Sequence, residues 1–239
     1  MTDERAPLPE ALARPDAGRV LMIVPHADDD IIGAGGSAAL HVEQGDPVQV
    51  LVFYDGVAGD PDGKFDPDEL REMRKREARA GGRHLGLTEY EFWGYPEGHL
   101  PGPPDVVSVV RRMAEYFDAV KPDIIYAPWV GEYHIDHHVL ARLVRGAIAV
   151  SGWQGAAWGF EVWTPLVPTR VVDVTRVYQK KIDALKEHAS QLAYTDHIHC
   201  ALGMQAHRSL YLPGDARYGE GFCPLGEPGP EDREILAAI

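Results

Sequence analysis

Apolar residues in this chain fall into short unbroken runs, separated by segments of helical periodicity. Arg19-Val20-Leu21-Met22-Ile23-Val24 is one such run, of strand length, as expected for a central strand covered on both faces. Gly36 to Gln44 reads as a helix stopped by Gly45, and Pro47 to Tyr54 as a second strand closing at Asp55-Gly56, which together make a βαβ unit. Asp60 to Pro67 is a polar loop, and Asp68 to Leu85 carries strong helix formers up to the stop signal Gly86. Glu89 to Trp93 predicts a short strand, followed by a loop from Gly94 to Leu100. In Asp105 to Val120, Val106, Val109, Val110, Met113 and Phe117 recur at helical spacing. Asp123 to Trp129 is the next strand and Asp136 to Val150 the next helix. Trp158 to Trp163 and Arg170 to Val174 read as strands, and Thr175 to Gln191 as one helix capped by Thr175. Beyond Tyr194 the pattern predicts no element. The alternation predicts an α/β fold with a mostly parallel sheet flanked by helices.

Bulk properties narrow the class. With 239 residues, 45% of them hydrophobic, the chain is long enough for one large core. Residues 1–17, rich in Pro, Ala and charge, are expected to form an N-terminal arm, and residues 18–239 a single domain. The formal charge of −14 argues against a nucleic-acid or anionic-membrane partner. Cys200 and Cys223 have no Cys-x-x-Cys spacing, so neither a disulfide framework nor a thiolate metal site is indicated. No apolar run near the start is long enough for a signal peptide or a membrane span, so a cytoplasmic protein is expected. The oligomeric state is left open, a homo-oligomer included.

Chemistry concentrates in two clusters, each just past the carboxyl end of a predicted strand. The first is His26-Ala27-Asp28-Asp29-Asp30, followed by Gly33-Ala34-Gly35-Gly36; the second is His134-Ile135-Asp136-His137-His138. In open α/β sheets ligands bind beyond the carboxyl ends of strands, so the two clusters are expected to converge. Hydrolytic zinc sites take three protein ligands from His, Asp and Glu and leave a fourth position for water. His26, Asp29 and His137 supply such a set, and His134, three residues before His137, shares its helix face. A metal-dependent hydrolase is the reading that follows.

A rival from another class is dinucleotide binding, since Gly33-x-Gly35-x-x-Ala38 follows a strand and Asp55 ends the next one. His26 to Ile32 intervene where that fingerprint needs its tight turn, and their carboxylates would repel a pyrophosphate.

The two clusters resemble the His-Pro-Asp-Asp-Glu and His-Pro-Asp-His signatures of the PIG-L or LmbE-like family of zinc-dependent N-acetylglucosaminyl deacetylases. Arg74 and Glu77 resemble its Arg-x-x-Glu helix, His188-Ala189-Ser190-Gln191 its His-x-Ser-Gln segment, and Tyr218-Gly219-Glu220-Gly221-Phe222 its Tyr-Ala-Glu-x-Phe terminus. The resemblance implies a Rossmann-like domain in which His26, Asp29 and His137 hold Zn2+, Asp28 is the general base and His134 stabilises the tetrahedral intermediate. It implies removal of acetyl from a small N-acetylated amino-sugar conjugate; an amidase acting on another acylated amine or a thiol conjugate is the alternative. Ala27 and Ile135 replace the signature prolines and Asp30 the glutamate. Asp136 reads equally as a carboxylate orienting a histidine ligand or as a helix cap. Arg74 and Arg208 are candidates for substrate contact or for ion pairs, while His197 and His199 have no counterpart in the family pattern and are read as ordinary surface residues.

Overall fold

The computed structural model describes residues 7–98, 103–226 and Asp232. Residues 1–6 of the expected arm, His99 and Leu100 of the expected loop, and most of the stretch after Gly226 lie outside the described residues. The strands are β1 (Glu10–Leu12), β2 (Val20–Val24), β3 (Val48–Tyr54), β4 (Glu89–Tyr95), β5 (Ile124–Pro128), β6 (Ala156–Phe160), β7 (Arg170–Asp173) and β8 (Gly219–Pro224). The helices are α1 (Asp29–Glu43), α2 (Pro67–Leu85), α3 (Pro103–Val120), α4 (Ile135–Ser151), α5 (Tyr178–Lys186), α6 (Ala189–Leu192) and α7 (His197–Arg208).

The strands form one sheet in the order β1-β7-β8-β6-β5-β2-β3-β4, in which only β8 runs antiparallel to its neighbours. Strand β2 is fully buried: Val20, Met22 and Val24 pack under α1, α2 and α5, and Leu21 and Ile23 under α3 and α4. From β2 the chain winds outward to β3 and β4, then returns to place β5 on the other side of β2. That reversal opens a crevice at the carboxyl ends of β2 and β5, where both histidine clusters emerge. Helix α2 matches its predicted span: Asp66 accepts the Asp68 and Glu69 N–H groups, Pro67 opens the first turn, and left-handed Gly86 ends the helix.

Several elements depart from the sequence reading. Part of the expected arm pairs with β7 as β1, through the register Glu10 with Arg170. Helix α1 starts at Asp29, not at Gly36, so Gly33-Ala34-Gly35-Gly36 lies inside the helix. It is broken at Ala34, whose φ of −140° is not helical. The break frees the Ile32 carbonyl, which accepts Lys181 Nζ and Gln205 Nε2, each at 2.9 Å. It also frees the Gly36 and Ser37 N–H groups, which donate to Glu220 at 2.8 and 2.7 Å. Gly33 is needed there because a Cβ would lie 2.2 Å from the Phe160 ring. The same contact leaves no space for a pyrophosphate on these glycines, so the dinucleotide fingerprint has no structural counterpart.

The predicted helix over Thr175–Gln191 is a 3-10 turn followed by two helices. Thr175 does not cap α5; its hydroxyl accepts the Arg217 and Tyr218 N–H groups. The break before α6 is held by Glu77, which accepts the Ser190 N–H at 2.9 Å and the Ser190 hydroxyl at 2.6 Å. Strand β6 begins earlier than expected and stops at Phe160, because the next N–H groups turn to Glu132. Helix α7 and strand β8, which the sequence pattern does not predict, come from the C-terminal third.

Two buried groups yield tests of this fold. Lys181 donates to Glu220 at 2.6 Å and both side chains are fully buried. Replacing Lys181 with Met strands a buried carboxylate and is expected to cost about 3–5 kcal/mol in urea denaturation. Arg176→Ala, at an exposed pair with Glu43, is expected to cost less than ~1 kcal/mol. His188 is buried, neither ring nitrogen has a hydrogen-bond partner among the described residues, and burial pushes its pKa down to about 4. Its folded value therefore lies below the ordinary 6.5, and between the two the unfolded chain binds more protons. The neutral ring is fully compatible with folding above that window, and stability falls as pH drops through it. His188→Leu is expected to remove on the order of 3 kcal/mol of that acid-side loss; matching pH–stability curves for the two proteins would refute this.

Candidate active site

The loop after β2 and the first turn of α1 present His26, Asp28, Asp29 and Asp30, all buried. Asp29 is placed by a local hydrogen bond, its Oδ2 accepting the His26 N–H at 2.9 Å. The same oxygen lies 3.1 Å from His26 Nδ1 and 3.3 Å from His137 Nε2. His137 enters from the first turn of α4 and is fully buried; its Nε2 faces Asp29 at 3.3 Å, but among the described residues neither ring nitrogen makes a well-aligned hydrogen bond. One ligand atom from each of His26, Asp29 and His137 lies within 4.8 Å of the others. A buried imidazole whose Nε2 faces, without an aligned hydrogen bond, a carboxylate shared with a second histidine fits a cation, which would use that lone pair.

His26 Nε2 points the other way, to Glu97 Oε1 at 3.0 Å and Asp136 Oδ2 at 3.3 Å. These three residues also form a cation-sized group, but it shares His26 with the first, and Glu97 and Asp136 hold the far side of that ring. Burial pushes the His26 pKa down, but hydrogen bonds to Asp136, Asp29 and Glu97 outweigh it and hold the value well above normal. Burial likewise pushes Asp29 up, and His137 and His26 outweigh it, keeping the carboxyl well below its ordinary range. The pocket therefore favours positive charge beside these carboxylates. Asp30 is different: burial first, then the neighbouring Asp28 and Asp29 charges, raise it to about 7 against the Tyr90 hydrogen bond. It accepts the Tyr90 hydroxyl at 2.6 Å and faces the core rather than the cavity.

His134 is the N-cap residue of α4, where its Nδ1 accepts the Asp136 N–H at 3.3 Å. The neutral ring consequently carries its proton on Nε2. Burial, with His137 and His26 next, lowers its pKa, which keeps it a neutral donor. Asp136 is thus no cap of α4; its carboxylate accepts the Gly98 N–H at 2.8 Å and faces His26. Across the cavity, Asp28 Oδ1 pairs with Arg74 Nη2 at 3.3 Å, and Arg74 is anchored by the Gly56 carbonyl at 2.9 Å.

His26, Asp28, Asp29, Arg74, Glu97, His134 and Asp136 line a cavity of about 330 Å³ together with Ile135, Trp163, Gln191 and His197, while His137 is buried outside its lining. His197 corrects the sequence reading: its Nδ1 lies 3.8 Å from Asp28 Oδ2 and its ring meets Trp163 edge-on. His199 lies outside the cavity, its N–H bound to the helix-capping Asp196. Arg208 is a buried ion pair with Glu161 and also donates to the Leu166 carbonyl at 2.7 Å, so it serves structure, not substrate. Sequence reasoning misses Glu97 and Glu132, because a single loop glutamate carries no spacing signal. Only the fold brings them to His26 and His137.

Three comparisons bear on this arrangement. Diacetylchitobiose deacetylase of Thermococcus kodakarensis is 28% identical over 74% of this chain and 71% of its own length. 4-Oxalmesaconate hydratase of Pseudomonas putida is 24% identical over 84% of this chain and 87% of its own. The structure of N,N'-diacetylchitobiose deacetylase from Pyrococcus horikoshii superposes with a TM-score of 0.75 at 25% identity, covering 88% of this chain and 85% of that one. Its fold supports the Rossmann-like reading, here an eight-stranded, mostly parallel sheet flanked by helices. Residues 21–148, which carry both histidine clusters, match the model of the PIG-L family, GlcNAc-PI de-N-acetylase, and the chain belongs to that family.

Proposed function

We propose that the protein is a metal-dependent hydrolase that removes the acetyl group from an N-acetylglucosamine-type substrate, releasing acetate and a free amine. The observation that carries this reading is that ligand atoms of His26, Asp29 and His137 come within 4.8 Å of one another beside a cavity lined by His26, Asp28, Asp29 and His134. In this reading His26, Asp29 and His137 hold Zn2+ or another divalent ion. The ion, when bound, supplies Lewis acidity and lowers the pKa of water. Asp28 takes the proton of the attacking water and later delivers it to the leaving amine, with Arg74 fixing the orientation of its carboxylate. His134 donates from Nε2 to the oxygen that becomes negative as the carbonyl turns tetrahedral.

The lining charge favours a neutral amide. Asp28, Asp29, Glu97 and Asp136 face the cavity, and the Arg74 guanidinium is already engaged by Asp28 and Gly56. An acetamido sugar meets these groups with hydroxyls that can donate; a polyanionic substrate would meet like charge. Among the described residues no helix is long and apolar enough to cross a membrane. Cys200 and Cys223 are free thiols, in keeping with the reducing cytoplasm we assign to the protein. We assign the reaction to one domain over residues 18–239, to whose sheet Glu10–Leu12 of the arm adds an edge strand.

The test is a panel of N-acetylated glucosaminides and simple acylated amines, assayed for released acetate and amine with metal content measured in parallel. Acetate is expected from the glucosaminides; release only from the other amides would move the assignment to the amidase alternative. Asp28→Asn is expected to retain metal and lose about 10²–10⁴-fold in kcat. His137→Ala is expected to lose both metal and turnover. Chelation should abolish hydrolysis and a divalent ion restore it; full activity after verified metal removal would overturn the mechanism.

A further inference from the structure

We infer that Glu132 is a positioning residue that couples the ligand His137 to the substrate-facing wall built around Trp163. This inference rests on the metal site proposed above and adds a residue that lies outside both histidine clusters.

Glu132 lies in the loop between β5 and α4, and its side chain is fully buried. Its carboxylate receives three consecutive backbone N–H groups after β6: Val162 at 2.6 Å, Trp163 at 3.2 Å and Thr164 at 3.4 Å. The two loops are laced further, Tyr133 N–H donating to Thr164 Oγ1 at 2.8 Å and Trp129 Nε1 to the Thr164 carbonyl at 2.9 Å. Trp163 lines the cavity from this segment and packs on His197, which faces Asp28. On its other side Glu132 Oε2 stands 3.8 Å from His137 Nδ1, a buried nitrogen without a hydrogen-bond partner among the described residues.

The chemistry of imidazole connects these facts. A neutral ring has one N–H, so once Nε2 gives its lone pair to a cation the proton must sit on Nδ1. The carboxylate beside that nitrogen is Glu132, and a short rotation closes 3.8 Å to a hydrogen bond. Glu132 thereby selects the tautomer that exposes the Nε2 lone pair toward Asp29, and raises the basicity of the ligand. Because the same carboxylate anchors residues 162–164, ligand orientation and wall position share one group.

Glu132→Gln keeps an oxygen acceptor for the loop N–H groups and removes the charge. Competition titration against a chromophoric chelator is expected to show metal affinity lowered about 10- to 100-fold. The Tm of the metal-free variant is expected to stay close to that of the wild type. A lowered Tm with unchanged metal affinity would make Glu132 a loop anchor alone and overturn the inference. A wild type that binds no metal would instead defeat the underlying site assignment. Should the variant fail to fold, histidine-selective ¹⁵N NMR of the metal-loaded wild type decides. His137 metallated through Nε2, with a hydrogen-bonded proton on Nδ1, is expected; ligation through Nδ1, or a Nδ1 proton exposed to exchange with water, would overturn the inference.

Discussion

Breaking helix α1 at Ala34 places one carbonyl and two N–H groups inside the core without their helical partners, and much of the molecule is arranged to satisfy them. A buried backbone group left unpaired costs about 1–3 kcal/mol. Three elements from the C-terminal third answer that cost: Lys181 from α5, Gln205 from α7 and Glu220 from β8. The break also shortens the first half of α1, which begins at Asp29, to little more than a turn. The C-terminal segment is thus bound to the histidine-bearing edge of the sheet through the backbone of one kinked helix.

A second principle recurs around the site, namely that buried carboxylates hold irregular chain by accepting backbone N–H groups. Glu77 fixes the start of α6, Glu132 the loop after β6, Glu97 the N–H of Ala58, and Asp136 the N–H of Gly98. Each bond is charge-assisted and therefore stronger than a neutral one. Collecting so much negative charge near the ends of β2 and β5 has an electrostatic consequence. His26 is held protonation-prone and Asp29 acid-resistant by the same neighbours, so positive charge is favoured between them. The rigid loops and the proposed cation site are two results of one charge distribution.

The parallel half of the fold is legible in the sequence because its signals are local. Strand β2 is marked by five consecutive apolar residues that the sheet buries on both faces, and α2 by a cap, a proline and a closing glycine at the right offsets. The two histidine clusters are legible for the same reason: polar ligand-type residues crowded at the end of a buried strand are costly unless they are paired or hold a cation. Their partners are not legible. Glu132, Glu97 and His197 carry no periodicity, and what brings them to His137, His26 and Asp28 is loop conformation and the docking of α7. In sequence, Arg208 is as suited to substrate as Arg74. The fold pairs Arg208 with Glu161 away from the cavity and turns Arg74 toward Asp28.

Hydrophobic periodicity and capping chemistry, read from neighbouring residues alone, determine the alternating α/β order and the strand ends at which the residues of the proposed metal set lie. Tertiary structure alone decides where α1 starts and breaks, that β8 runs antiparallel between β6 and β7, and which charges meet. The reason is one of range. Periodicity and caps act over a few residues and leave a trace in sequence, whereas a buried ion pair such as Lys181–Glu220 joins residues distant in the chain and becomes visible only when both are packed.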